Sequence, residues 1–535
     1  LAVGAAILCS FVYLVAQIYG VGLITARLTG LSFEIGAFLA LGGILLCSFL
    51  GGMRAVTWTQ AAQYIVLLVA YLVPVVWLSV KQTGVPIPQA VYAQQLHKIG
   101  EREAELLADP RERQVIELHQ QQAELNARKL QDVRAALEAD RQAARQKVSA
   151  LHASQASLPE IQAAEKALAA WSISEEQARR RYQAALDNSL AMAKPLAGMP
   201  PHAQAFAGQP NGGADEQSQF EDSRRNFLAL VFCLMAGTAA LPHILMRYYT
   251  TSSVSSARRS VVWALFFILL VYLTAPALAV LVKFEILTHL VGLPFDQLPS
   301  WVANWSRTDA SLVAVSDINR DGIFQLAEMR LGSDAIVLAT PEIGGMPFAI
   351  SALVAAGALA AALSTADGLL LTIANALSHD VYYKVLDQSA STGRRVAISK
   401  ALLLIVALAA AALAAQKPAD ILFLVSAAFS CAASALFPAL VLGIFWSRAN
   451  HWGALAGMMS GLAITLFYLS VHHPGLRSWW GIHTPWELWW GIQPIAAGVF
   501  GVPVGAAVMV VVSLCTPAPS VSTLELVQRL RTPQS

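Results

Sequence analysis

Runs of roughly twenty apolar residues punctuate this chain, and their length restricts its fold more than any other feature. Ten can be read, near 3–25, 31–51, 60–80, 226–246, 259–282, 346–374, 397–415, 420–446, 452–472 and 490–514. A stretch of that length crosses the ~30 Å hydrocarbon core of a bilayer as a helix, the conformation that satisfies its own backbone there. Of the 535 residues, 56% are hydrophobic and 13% charged, and the mean hydropathy is +0.54. That composition excludes an ordinary soluble enzyme. Pro74, Pro242, Pro276, Pro438 and Pro494 lie inside the runs, where neighbouring helices re-satisfy the backbone groups they free. The expected fold class is all-α, a polytopic protein whose largest partner is membrane lipid.

Charge asymmetry orients the spans. If they alternate, one side receives Arg54, Arg247, Arg258, Arg259, Lys384, Arg394, Arg395, Lys400, Arg448, Arg529 and Arg531. The other receives Arg27, Lys81, Lys283, Lys417 and Arg477. Eleven against five places the tail 516–535 in the cytoplasm. The spans then group as 1–81, 226–283 and 345–515, and the polar insertions 82–225 and 284–344 lie outside. A formal net charge of +2 gives no reason to expect a nucleic acid partner. The sequence opens at Leu1 directly on an apolar run, which reads as a cut edge with further helices upstream. Cys9, Cys47, Cys233, Cys431 and Cys515 fall within or at the ends of runs, as inert buried thiols would.

Each insertion has its own signature. From about Gln94 to Ala193 the first is rich in Glu, Gln, Arg, Lys and Ala. Leu118, Leu125, Val133, Leu137, Val148 and Leu151 mark the apolar stripe of a long amphipathic helix. Pro159 marks a reversal into a second helix near 160–190. An external, coiled-coil-like hairpin follows, with Pro200–Gln219 as the linker back. In the second insertion, residues 317–328 match a twelve-residue calcium loop. Asp317, Asn319 and Asp321 would supply side-chain oxygens and Ile323 a carbonyl. Gln325 would act directly or through water, Glu328 would close the loop, and Gly322 would permit the turn. A strand-like segment, Leu312–Ser316, enters the loop and a helix is expected over Leu326–Arg330. The other reading is a degenerate turn that binds nothing.

The chemistry of the spans concentrates in two places. Within Gly357–Asp380, the hydroxyl pair Ser364–Thr365 precedes Asp367 at membrane depth. Polar groups there are expensive and tend to face an ion path or substrate cavity, and adjacent hydroxyls suit a weak all-oxygen alkali-cation site. Their commonest use, though, is to bond back to carbonyls of the preceding turn. The second place is Gly237–His243, where small residues and Pro242 signal a discontinuous helix that can bind substrate. The competing reading is a proline kink with His243 bonded to a carbonyl. Zinc, phosphate-loop and serine-elbow signatures are absent, so no enzyme is expected.

Together Gly51–Gln60, Gly237–Arg247, Ala361–Gly368, Ser378–Tyr383 and the helix Ala419–Trp446 resemble the solute:sodium symporter family, its bacterial acetate-like branch above all. The resemblance implies the inverted-repeat fold of the leucine transporter type, about ten of whose helices are visible here, in a bacterial inner membrane. It implies sodium-coupled symport of a small organic solute, a monocarboxylate such as acetate, by alternating access. The Ala361 carbonyl and the Ser364 and Thr365 hydroxyls match the family's sodium ligands, with the remaining ligands on a first core helix that is missing here. Gly237, Thr238, Pro242 and His243 become the substrate-binding candidates, and a small accessory membrane protein is a further expected partner. Many relatives carry Asp where Gln60 stands, so Asp367 is the ion-coupling candidate in its stead. Sodium is thus the expected ion and calcium a structural staple of the external loop. Proton coupling, or a non-transporting sensor or receptor on the same fold, are the alternatives.

Overall fold

The computed structural model describes residues 1–531 except 200, 203, 311, 474–475 and 483–485, without the side chains of 40, 44, 46–55, 249, 478–479 and 530. Its helices begin with α1 (Ala2–Thr29), α2 (Phe33–Thr83), α3 (Pro88–Ala108), α4 (Pro110–Gln131), α5 (Val133–Ala153) and α6 (Leu158–Ala169). There follow α7 (Glu175–Met192), α8 (Ala214–Ala240), α9 (Pro242–Leu245), α10 (Val254–His289), α11 (Ser300–Thr308) and α12 (Ser333–Ile343). The last are α13 (Phe348–Asn375), α14 (Thr392–Ala415), α15 (Ile421–Phe445), α16 (His451–His472), α17 (Gly498–Cys515) and α18 (Val521–Arg531). Strands β1 (Val313–Val315) and β2 (Met329–Leu331) form an antiparallel pair. Two compact units result: 1–91, 206–279 and 336–535 make one, 92–205 and 280–335 the other.

The first unit holds the helices of membrane-spanning character. Among the described residues eight helices are long and apolar enough to cross a bilayer, or nine with the bent pair that starts at Ala214. One expectation fails. The runs near 31–51 and 60–80 are a single helix, α2, of 51 residues, ~76 Å at 1.5 Å per residue. The division rests on Gly51, Gly52 and Arg54, and the side chains of Cys47 and Arg54 lie outside the described residues. Glycine inside a helix costs only ~1 kcal/mol, too little to break one packed along α1, α13 and α14. The discontinuity expected before His243 is present: Leu241 is extended (φ −66°, ψ 121°), Pro242 begins α9, and the axis bends by 43°. Helix α13 runs on into a π-helical segment, Ala376–Leu386, a form frequent at functional sites.

Small residues set the spacing of this unit. Gly357 of α13 lies against Ala70 of α2. On α16, a Cβ at Gly457 would stand 2.6 Å from the Gly505 carbonyl oxygen and one at Gly453 2.7 Å from that of Met509, both on α17. Such backbone contact replaces the hydrophobic drive that lipid cannot supply. Cys9, Cys233 and Cys431 are buried thiols, while Cys515 is exposed.

The second unit is built differently. Helix α4 packs on α7 and α5 on α6, and the chain reverses just before Pro159, where Ser157 and Glu160 form a capping box. The one long helix expected ahead of that reversal is three. Asp109 caps α4 by accepting the Arg111 N–H at 2.8 Å, and Asp132 caps α5 by accepting that of Ala135 at 3.0 Å. Pro110 also turns the residue before it away from helix. Nor is the seam as apolar as expected: Leu125 is 54% exposed, and the buried face of α4 is Glu112, Val115, His119 and Ala123. Glu112 accepts the N–H groups of Leu326 and Ala327, and His119 Nε2 donates to the Ala327 carbonyl at 3.0 Å. The helix expected over Leu326–Arg330 is one 3₁₀ turn, Leu326–Glu328, passing into β2. Register explains it, since Met329, Arg330 and Leu331 pair with Val315, Ala314 and Val313.

Candidate ion and solute site

One turn of α13 gathers the oxygens. Ala361, Ser364 and Thr365 are spaced i, i+3, i+4 and so share a face. The Ser364 hydroxyl donates to the Ala361 carbonyl at 2.8 Å and the Thr365 hydroxyl to the same carbonyl at 3.2 Å. This is the back-bonding that isolated hydroxyls adopt in helices. It also commits both hydroxyl hydrogens to that one carbonyl, leaving the lone pairs of the two hydroxyl oxygens clustered on the same face. Three neutral oxygens on one turn make a partial cation site that needs further ligands from elsewhere. Gln60 of α2 reaches the same turn, its Nε2 donating to the Ser364 carbonyl at 2.5 Å. One turn further on, Asp367 is 1% exposed, and the guanidinium of Arg247 lies over Gly368.

The break beside α9 opens onto a cavity of about 950 Å³. Pro242, Leu245 and Met246 line it from the bent segment, and Thr372, Asn375 and His379 from α13 and its π-helical end. Most of the wall is apolar. Asp380 and Arg395 put charge in its lining: His379 Nδ1 and Lys384 Nζ lie 3.0 and 3.1 Å from Asp380 Oδ1, and Arg395 stacks 3.9 Å over the Tyr383 ring. The four substrate-binding candidates separate here. Gly237 is a packing residue, its missing Cβ leaving room for Phe429 of α15. The Thr238 hydroxyl bonds back to the Leu234 carbonyl at 2.7 Å. Pro242 faces the cavity. His243 sits edge-on to Tyr13 at 5.6 Å, with a buried Nδ1 that has no hydrogen-bond partner among the described residues. Arg247 entered the sequence reading as a count of charge and as the end of the resembling stretch Gly237–Arg247, with no role at the site, although an arginine four residues after that histidine in an apolar run was the available signal.

In the second unit the calcium-like loop takes the expected turn, with Gly322 at φ +73°. Its oxygens point inward upon its own backbone. Asp317 accepts the Gly322 N–H at 3.1 Å, Asn319 that of Asp321 at 3.1 Å, and Asp321 that of Ile323 at 2.8 Å. Glu328 accepts from Ile318 and Gln325 at 2.7 and 3.1 Å. Gln325 Nε2 donates to Asp321 at 2.9 Å. Burial, with the Asp317 charge adding to it, pushes the Glu328 carboxyl above the ordinary range. Among the described residues no three of His, Cys, Asp or Glu converge as a metal cage.

A bundle of long apolar helices with one broken helix, a polar turn inside an apolar helix and an adjoining cavity has the make-up of a multi-pass membrane protein. The model of the sodium:solute symporter family matches residues 1–125 and 325–461. An uncharacterized symporter of Cupriavidus necator is 48% identical over 531 residues, 99% of this chain and 76% of that protein. The chain belongs to the sodium:solute symporter family. A monocarboxylic acid transporter of Corynebacterium glutamicum is 30% identical over 249 residues, 46% of this chain and 39% of that protein. A solved structure of a Na⁺-coupled sialic acid symporter, substrate-bound and outward-open, aligns with a TM-score of 0.43 and 13% identity, over 96% of this chain and 75% of that one.

Proposed function

We propose that this symporter uses a sodium gradient to carry a small monocarboxylate, such as acetate, by alternating access. The observation that carries the reading is the turn Ala361–Thr365, where one carbonyl and two hydroxyl oxygens lie on a single face beside a broken helix. Sodium would take those three oxygens and complete its shell from other helices. The solute would enter beside Pro242 and His243, an apolar wall suiting a short hydrocarbon body and the Arg395 charge in the lining suiting its carboxylate. The relative from Corynebacterium glutamicum supports that solute class.

Sidedness rests on the Lys/Arg bias, which supports a cytoplasmic tail and external insertions in a bacterial inner membrane. For loop 317–328 we keep weak calcium binding, at ~10⁻⁴–10⁻³ M, as a structural staple. Occupancy could use Asp317 Oδ1 while Oδ2 keeps the Gly322 amide, and would require Glu328, whose two oxygens both accept loop amides, to turn toward the ion. A thermal shift at millimolar calcium, absent in Glu328→Gln, is the expected sign.

The central test is uptake of labelled acetate, propionate, lactate and pyruvate by full-length protein in proteoliposomes, under sodium or proton gradients. Removing two ligand oxygens at ~1.4 kcal/mol each should weaken sodium activation about a hundredfold in Ser364→Ala/Thr365→Ala. Uptake driven by protons alone would replace sodium as the coupling ion. No uptake of any of the four acids would reject the solute class and favour a sensor.

A further inference from the structure

Arg247 stands out among the charges at membrane depth because its position depends on a residue having no side chain. A Cβ at Gly368 would lie 2.9 Å from Arg247 Nη2 and 3.8 Å from Gln60 Nε2. The guanidinium therefore fills the notch that glycine leaves on α13. Asp367 is the residue before Gly368 and is 1% exposed. A half-buried cation in an apolar helical bundle is tolerated where polar partners compensate it, and the planar guanidinium suits a slot beside the Gln60 carboxamide.

Connectivity gives the contact its meaning. Arg247 rides on the segment beyond the break at Leu241, which can pivot independently of α8. The notch lies one turn past Ser364–Thr365 on the same helix. Gln60 touches both places, donating to the Ser364 carbonyl at 2.5 Å while its amide borders the notch. A change at the oxygen cluster thus reaches the bent segment through one side chain and one helical turn.

We infer that Arg247 is a positioning residue for transport: seated over Gly368, it holds the bent segment against the sodium helix and must leave that seat as the carrier changes state. This rests on the sodium reading of α13. It also gives Asp367 another role, that of holding Arg247, in place of supplying charge to the ion.

The test uses full-length protein in proteoliposomes, with sodium-driven acetate uptake per inserted molecule and the half-saturating sodium concentration as readouts. Arg247→Gln and Asp367→Asn should each lower uptake about tenfold, and the double variant should lose no more than either, as one shared contact requires. Half-saturating sodium should stay within about twofold of wild type in Arg247→Gln, because the oxygens of the cluster remain. The charge swap Arg247→Asp/Asp367→Arg should recover uptake above both singles, and uptake lost at unchanged half-saturating sodium is the pattern that a merely structural role would not produce. Should a single variant fail to insert, the swap against wild type decides, recovery supporting the contact and a dead but inserted protein overturning it. Additive losses, or wild-type uptake by Arg247→Gln, overturn the inference alone. A wild type indifferent to sodium overturns the sodium reading, and this inference with it.

Discussion

The two units bury polar groups in opposite ways. In the insertion unit each buried carboxylate is satisfied close at hand. Glu103, 3% exposed, faces the Lys283 ammonium at 2.6 Å and also accepts the His202 N–H at 3.1 Å. Glu112 takes two backbone N–H groups and Glu328 two more. In the membrane unit the polar set of Gln60, Arg247, Ser364, Thr365 and Asp367 is spread over three helical segments and meets at a break. Satisfaction between packed elements with no break between them makes a rigid part, whereas contacts shared with a segment that follows a break make a part that can change state. A buried charge is thus a sign of function only when its partners belong to elements free to separate.

Substitutions that separate stability from flux test this contrast. The largest effect should come from Gly457→Leu, which drives a side chain into the Gly505 backbone and should abolish the packing of α16 on α17. Loss of monodisperse protein on extraction is expected, and a variant extracted like wild type would show that the close contact is dispensable. Next is Glu103→Ala, which leaves Lys283 buried without its carboxylate at a cost of about 3–5 kcal/mol. Hydrogen exchange in α3 should quicken by roughly 10²–10³-fold, while sodium-driven uptake by the remaining folded protein stays at the wild-type rate. A loss of uptake in proportion would mean that the insertion unit takes part in transport.

How far the sequence could be read follows the same division. Apolar runs, the break before Pro242 and the turn at Gly322 are local signals, and the structure has each of them in place. The hydroxyl pair Ser364–Thr365 was legible too, as adjacent polar groups in an apolar run, whereas Ala361 joined it only through the family resemblance. Helix α2 misled because Gly51 and Gly52 weaken a helix locally while packing along its length sustains it. The seam of α4 misled because Glu112 and His119 are buried by partners more than 200 positions away, which no periodicity reports. Arg247 was hidden for the same reason, since nothing near it in sequence announces Gly368 as its seat.

The smallest effect, on pH, falls in the insertion unit. His119 Nε2 donates to the Ala327 carbonyl, while its Nδ1 is buried with no hydrogen-bond partner among the described residues. Burial holds the ring below its ordinary pKa, against a smaller opposing pull from that carbonyl. Between the lowered value and about 6.5 the unfolded chain binds a proton that the folded chain does not, so stability is lost on acidification. Glu112 works the other way. Burial raises its carboxyl, so its contribution is lost as pH rises from the ordinary carboxylate range through the raised value. His119→Gln keeps an N–H for Ala327 and removes only the titration. In pulse proteolysis of full-length protein, cleavage within 92–205 should increase for wild type relative to His119→Gln as pH falls from about 7.5 to 5.5. Parallel profiles would mean that the ring takes up its proton without cost, and that α4 yields at the loop where it now holds fast.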